Sequence, residues 1–133
     1  MNLPSRIQDL NYNLLKLSSL FETNIKDAFS AVEKKDLELS KTVINTDSKI
    51  NMMEVEIEKE VNDILETFRP SDNDLRYLLA ALKINNELER IGDYATNIAR
   101  NTQFMVEHPD LELPDVLCLL YTSDAADEWW RGG

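Results

Sequence analysis

The hexapeptide RPSDND at residues 69–74 decides the fold. Pro70 disfavours a helical Arg69, so a helix arriving from the N-terminal side must stop there, and Ser71 or Asp72 offers the side-chain oxygen that starts a new one. On the N-terminal side, residues 37–68 place Leu39, Val43, Ile50, Ile57, Val61, Ile64 and Phe68 on one side of a helix. On the C-terminal side a helical pattern resumes at residue 72 and runs to about residue 106, where EHPDLELP, residues 107–114, closes it. The hexapeptide is therefore a tight reversal between two helices.

Upstream, Ile7, Leu10, Leu14, Leu17, Leu20, Phe21, Ile25, Phe29 and Val32 recur at steps of three and four, apart from one adjacent pair, and mark a first amphipathic helix over residues 3–32. EKKD, residues 33–36, is a short polar break in which Asp36 can cap the second helix. Three helices of roughly thirty residues on short connectors must alternate up, down and up to bury their apolar stripes. The expected fold is all-α, a long antiparallel three-helix bundle over residues 1–114.

Composition agrees. The chain has 133 residues, 43% hydrophobic and 29% charged, with 3 glycines and 4 prolines, which suits one small helical domain with its own core. A net charge of −11 argues against nucleic-acid binding and against an anionic membrane surface, since both need a Lys/Arg patch. Cationic partners fit better. No apolar run approaches the roughly 18 residues of a membrane span, and residues 1–6 lack the apolar core of a signal peptide. A single cysteine, Cys118, excludes an intrachain disulfide framework, so the expected compartment is the cytoplasm.

Residues 115–133, DVLCLLYTSDAADEWWRGG, share no periodicity with the helices. CLLYTSDAADE, residues 118–128, resembles the in-frame translation of a transposase-type sequencing adapter. The reading taken is a non-native tail, with the native frame lost near Val116; the alternative is a genuine hydrophobic segment docking on the bundle. No function is based on Cys118, Trp129 or Trp130.

Acids stand at positions where a helix bundle does not ordinarily want them. In DSKINMME, residues 47–54, Asp47 and Glu54 fall on the apolar stripe of the second helix, which spans about 80°, and Asn51 lies on its shoulder. A carboxylate buried without a partner is costly, so both need one. In ELERIGDYA, residues 87–95, Glu89 and Asp93 are one turn apart, and like charges there cost a few tenths of a kcal/mol. Gly92 between them costs about 1 kcal/mol against alanine. Asn86, Glu89, Asp93, Asn97 and Arg100 form a polar ladder that continues the line of Leu75, Leu79 and Leu82, while Ile84, Leu88, Ile91, Ala95 and Ile98 are expected to form the core on the opposite side. Carboxylates at this spacing can hold Mg²⁺, Mn²⁺, iron or Zn²⁺, and Gly92 would keep the approach clear. The alternatives are a solvated acidic face, or ion pairs with Arg90 or Arg100. His108 lies outside the ladder, near the end of the third helix, and is read as a surface histidine at the helix terminus.

DLELSKTVINTDSKINMMEVEIE, residues 36–58, followed by RPSDNDLRYLLAALKINNELERIGDYATNIAR, residues 69–100, resembles the PhoU family of phosphate-signalling proteins, with its proline-led DLR turn and its LERIGD-A-NIA run. The resemblance covers residues 37–100 closely and the first helix loosely. It implies the first of two tandem three-helix repeats. It also implies a cytosolic negative regulator of phosphate uptake that couples a phosphate ABC transporter, through its ATPase, to a sensor histidine kinase and catalyses nothing itself. Family members hold multinuclear metal clusters, often iron or zinc, on acid-x-x-x-acid motifs. By resemblance Glu89 and Asp93 take that role on the third helix, and Asp47, Asn51 and Glu54 on the second, with manganese or magnesium as the lesser possibilities. Asn51 departs from the family's acid. A metal store or metalloenzyme, and a regulator of a different phosphate transporter, are the competing readings. A lone repeat is also expected to self-associate into a homo-oligomer such as a homodimer.

Overall fold

The computed structural model describes residues 2–109, all of them helical except for the connecting turns and the two ends. Three helices follow in order, α1 Leu3–Lys34, α2 Leu37–Phe68 and α3 Asp72–Glu107. The three-helix expectation holds, with α2 on its expected bounds, α1 two residues longer and α3 one residue longer. Residues 115–133, expected to be a non-native tail, lie outside the described residues. Among the described residues no helix is long and apolar enough to cross a membrane.

Each helix end has a local cause. Asn2 caps α1, its Oδ1 accepting the Ser5 N–H at 2.9 Å. At the other end Lys35 takes φ 54°. Its N–H donates to the Val32 carbonyl at 3.3 Å while the Asp36 N–H reaches the Ala31 carbonyl at 2.9 Å, the paired bonds of a Schellman stop. Asp36 then starts α2, as its sequence position suggested, with its Oδ1 accepting the Leu39 N–H at 3.1 Å. Arg69, at φ 46°, ends α2 through one bond from its N–H to the Leu65 carbonyl at 3.1 Å. Pro70 has no N–H with which to add the second bond, so this stop is the simpler left-handed type. Ser71 opens α3 through its carbonyl, 3.5 Å from the Leu75 N–H, and Asp72 adopts φ 53°, a region that aspartate tolerates better than most residues.

The packing divides into two compact units, residues 1–23 with 47–92, and residues 24–46 with those from 93 on. In the first, Leu10, Leu14 and Leu17 of α1 meet Ile50, Ile57, Val61 and Ile64 of α2 and Leu78 and Ala81 of α3 in one cluster. Polar contacts fix the directions. Arg6 pairs with Asp63 at 2.6 Å and Asn13 donates to Glu60 at 3.1 Å, so α1 and α2 run antiparallel. Tyr77 donates its hydroxyl to Asn11 Oδ1 at 3.0 Å, tying α3 to α1, and burial pushes the Tyr77 pKa above its ordinary value.

The second unit is built from smaller side chains. Ala28, Val43, Ala95 and Ala99 form one cluster, and Val32 and Met105 another. Small residues let backbones approach, and two polar side chains use that closeness: Asn24 donates to the Val43 carbonyl at 3.2 Å, and the Ser40 hydroxyl donates to the Ala99 carbonyl. Both donors are buried, so each bond replaces water that a buried polar group would otherwise lack.

The expected core line of α3 holds at Ala95, which is buried, and at Leu88 and Ile98, which pack on core clusters, but needs correction at Ile84 and Ile91. Ile84 is 50% exposed and Ile91 38%, whereas Asn85 is buried at 1%. In the first unit α3 turns Leu78, Ala81, Asn85 and Gly92 inward. Small or hydrogen-bonded residues fit where α3 meets two helices at once, and the branched isoleucines stand outside. Phe29 of α1 and Leu79 of α3, placed on apolar lines by their spacing, are also exposed, at 55% and 51%.

Candidate acidic site

Asp47 and Glu54 do lie toward the interior of α2. Glu54 is buried at 3% and Asp47 is half-buried, while Asn51 is exposed. Asn51 directs its amide nitrogen at Asp47, Nδ2 to Oδ2 at 3.3 Å, so it acts as a donor to that carboxylate. Glu54 sits beside Asn85, whose Nδ2 donates to the Glu54 main-chain carbonyl at 2.9 Å. The Asn85 Oδ1 has no hydrogen-bond partner among the described residues.

Gly92 is buried where α3 passes α1 and α2. A Cβ placed on it would come 3.6 Å from Asp47 Oδ1 and 3.7 Å from Phe21 Cε2. These are ordinary contact distances, so the glycine faces Phe21 and Asp47 and has room for a methyl group. Asn85 against Glu54 and Gly92 against Asp47 also show that α2 and α3 run antiparallel. Glu89 and Asp93 are both exposed on α3.

The structure thus brings Asp47 together with Asn51 and with Gly92, places Glu54 in the core and leaves Glu89 and Asp93 on the surface. No group of three or more His, Cys, Asp or Glu side chains that could hold a metal ion occurs among the described residues. On α2, Asn51 offers its donor side to Asp47 and Glu54 is enclosed. His108 is exposed at the end of α3, as expected, its ring stacked on Phe104 with centroids 4.1 Å apart. Asn85 was not singled out from the sequence. The signal available was its position, seven residues before Gly92, on the line that turned out to be buried.

The family model described as PhoU domain matches residues 14–102, which include every residue of the acidic site. The phosphate-specific transport system accessory protein PhoU of Serratia marcescens is 36% identical over 109 residues, covering 80% of this chain and 45% of that protein. The PhoU homolog of Aquifex aeolicus is 32% identical over 112 residues, covering 84% and 51%, and PhoU of Escherichia coli K12 is 32% identical over 109 residues, covering 80% and 45%. The chain spans about half the length of the curated relatives it matches. With the family model covering two thirds of its length and relatives at 32–36% identity covering 80% or more of it, this chain belongs to the PhoU family.

Proposed function

We propose that this chain acts as a phosphate-transport accessory protein, a cytoplasmic negative regulator that couples a phosphate ABC transporter, through its ATPase, to a sensor histidine kinase. The observation that carries the reading is the match of residues 14–102 to the PhoU domain, joined to relatives named as phosphate-specific transport system accessory proteins. An acidic helical surface suits basic patches on such partners, and a net charge of −11 supplies it. The role is regulatory in this reading because the relatives are named as accessory proteins. The apolar side chains left open on α3, Ile84 and Ile91, support self-association as part of this reading.

The test is complementation. The whole chain is expressed in a bacterium lacking its own protein of this family, and phosphate uptake is followed at high and low phosphate. Restored repression of uptake at high phosphate is the expected result, and uptake as unrestrained as in the empty-vector strain, with the chain present at normal abundance, refutes it. Sedimentation gives a second check, because a clean monomer at high concentration removes self-association from the reading.

Metal binding by Glu89 and Asp93 belongs to the same proposal. The two exposed carboxylates would hold the ion, iron or zinc first, with water or a partner group completing its shell. The ion would supply fixed positive charge on an otherwise acidic face.

A further inference from the structure

On α2 this chain keeps the first acid of an acid-x-x-x-acid spacing, Asp47, and has an amide, Asn51, in place of the second. The two stand one helical turn apart and their side chains meet, Asn51 Nδ2 lying 3.3 Å from Asp47 Oδ2. A carboxylate can only accept hydrogen bonds, so the amide must present its nitrogen there. Its carbonyl oxygen, the one atom of Asn51 that could ligate a cation, is thereby turned away from Asp47. The other carboxylate oxygen faces α3, where a Cβ on Gly92 would come 3.6 Å from Oδ1.

Asp47 is half-buried and Asn51 exposed, so the amide reaches the carboxylate from the open side of the helix. A carboxylate that has lost part of its water needs donors or a cation in exchange. Asn51 supplies a donor from the same helix, and no ion is needed for it. What α2 has left is a poor ligand set: one Asp47 oxygen is committed to Asn51, Asn51 offers its donor side, and Glu54 is 3% exposed. Cations that favour carboxylates want several oxygens free at once. The α2 residues therefore do not fit the multinuclear cluster that the family resemblance implies.

We propose that Asn51 stands in for a cation at Asp47: its amide holds the carboxylate that a metal would otherwise bind, so α2 contributes no ligand and any ion on this chain is bound without it. The inference takes from the proposed function the expectation that acids at this spacing hold metal, and adds the residue that withholds α2 from it.

Thermal melts of the full chain with and without excess Mn²⁺ test it on wild type, Asn51→Asp, Asp47→Asn and the double variant, with bound Mn²⁺ counted by native mass spectrometry. Without the ion, Asn51→Asp should melt about 3–6 °C below wild type, having exchanged a donor for a like charge one turn away. Mn²⁺ should raise the Tm of Asn51→Asp by more than it raises that of wild type, with about one further ion per chain, and adding Asp47→Asn should abolish that surplus. Asp47→Asn alone should leave the wild-type response to Mn²⁺ unchanged. If wild type binds no Mn²⁺ while Asn51→Asp does, the reading of Glu89 and Asp93 loses its support and this inference stands. An Asn51→Asp chain that gains neither ion nor ion-dependent stability overturns the inference. So does a wild-type response lowered by Asp47→Asn, because Asp47 would then be ligating in spite of Asn51.

Discussion

Replacing Gly92 by alanine should stabilise this protein, although a glycine between two acids in a family motif invites the opposite expectation. The helical penalty of glycine against alanine is about 1 kcal/mol, and it is lifted wherever the native backbone accepts a Cβ. Gly92 lies inside α3 with no positive φ, and the added methyl meets Asp47 Oδ1 at 3.6 Å and Phe21 Cε2 at 3.7 Å, neither close enough to force a shift. Burying the methyl offsets the mild cost of bringing carbon beside a carboxylate oxygen, so the net gain is about 1 kcal/mol. For a domain of this size that is a rise of about 3–6 °C in Tm. Gly92→Leu has the same helical gain but must push its further atoms past Phe21 and Asp47, and overpacking of that kind costs about 1–3 kcal/mol. Urea unfolding of wild type, Gly92→Ala and Gly92→Leu, followed by circular dichroism, reads both. A Gly92→Ala variant less stable than wild type by 1 kcal/mol or more would refute the argument, because it would mean that α3 lies closer to its neighbours than these distances allow.

Thr102 is fully buried and its hydroxyl has no partner among the described residues, so Thr102→Val, of nearly the same shape, should stabilise by about 1 kcal/mol in the same urea assay. Asp36→Ala should lose about 1 kcal/mol with its cap, whereas Lys35→Gly should gain about 0.5–1 kcal/mol by relieving a lysine held at positive φ; thermal melts of the two variants should move in opposite directions. Glu89→Ala/Asp93→Ala should abolish iron or zinc content, by elemental analysis of chain purified without chelator or affinity-tag metal, while leaving stability equal or a few tenths of a kcal/mol higher. Equal metal in wild type and double mutant would remove the pair from the metal reading.

The bounds of α2, the capping role of Asp36 and the reversal at Pro70 were legible because each follows from local chemistry: a periodic stripe, a side-chain acceptor, a missing N–H. The burial of Glu54 followed from periodicity for the same reason. The inward face of α3 was legible at Leu88, Ala95 and Ile98 and not at Asn85 and Gly92. Ile84 and Ile91 outweigh Asn85 and Gly92 on any hydrophobicity scale, yet Asn85 is inside because it finds the Glu54 carbonyl on another helix, and Gly92 because Phe21 and Asp47 occupy the space beside it. Contacts between helices decide such positions, and a single helix carries no record of them. The same holds at Asn51. The resemblance to the PhoU family suggested a ligand there, and the direction of its amide, set in three dimensions, makes it a donor to Asp47.

The two turns differ in how a fluctuation can spread through them. Asp36 serves both helices it joins, its N–H closing α1 on Ala31 and its carbonyl and carboxylate opening α2 toward Ser40 and Leu39. Any motion that displaces this residue breaks all of those bonds together, so the amides of Asp36, Leu39 and Ser40 should exchange with solvent at a common rate. Between α2 and α3 the duties are divided: Arg69 ends one helix, Ser71 begins the next, and Pro70 contributes no N–H to either. There one helix end can fray while the other stays formed. The first connection therefore opens as a single event, and the second has two ends that open independently.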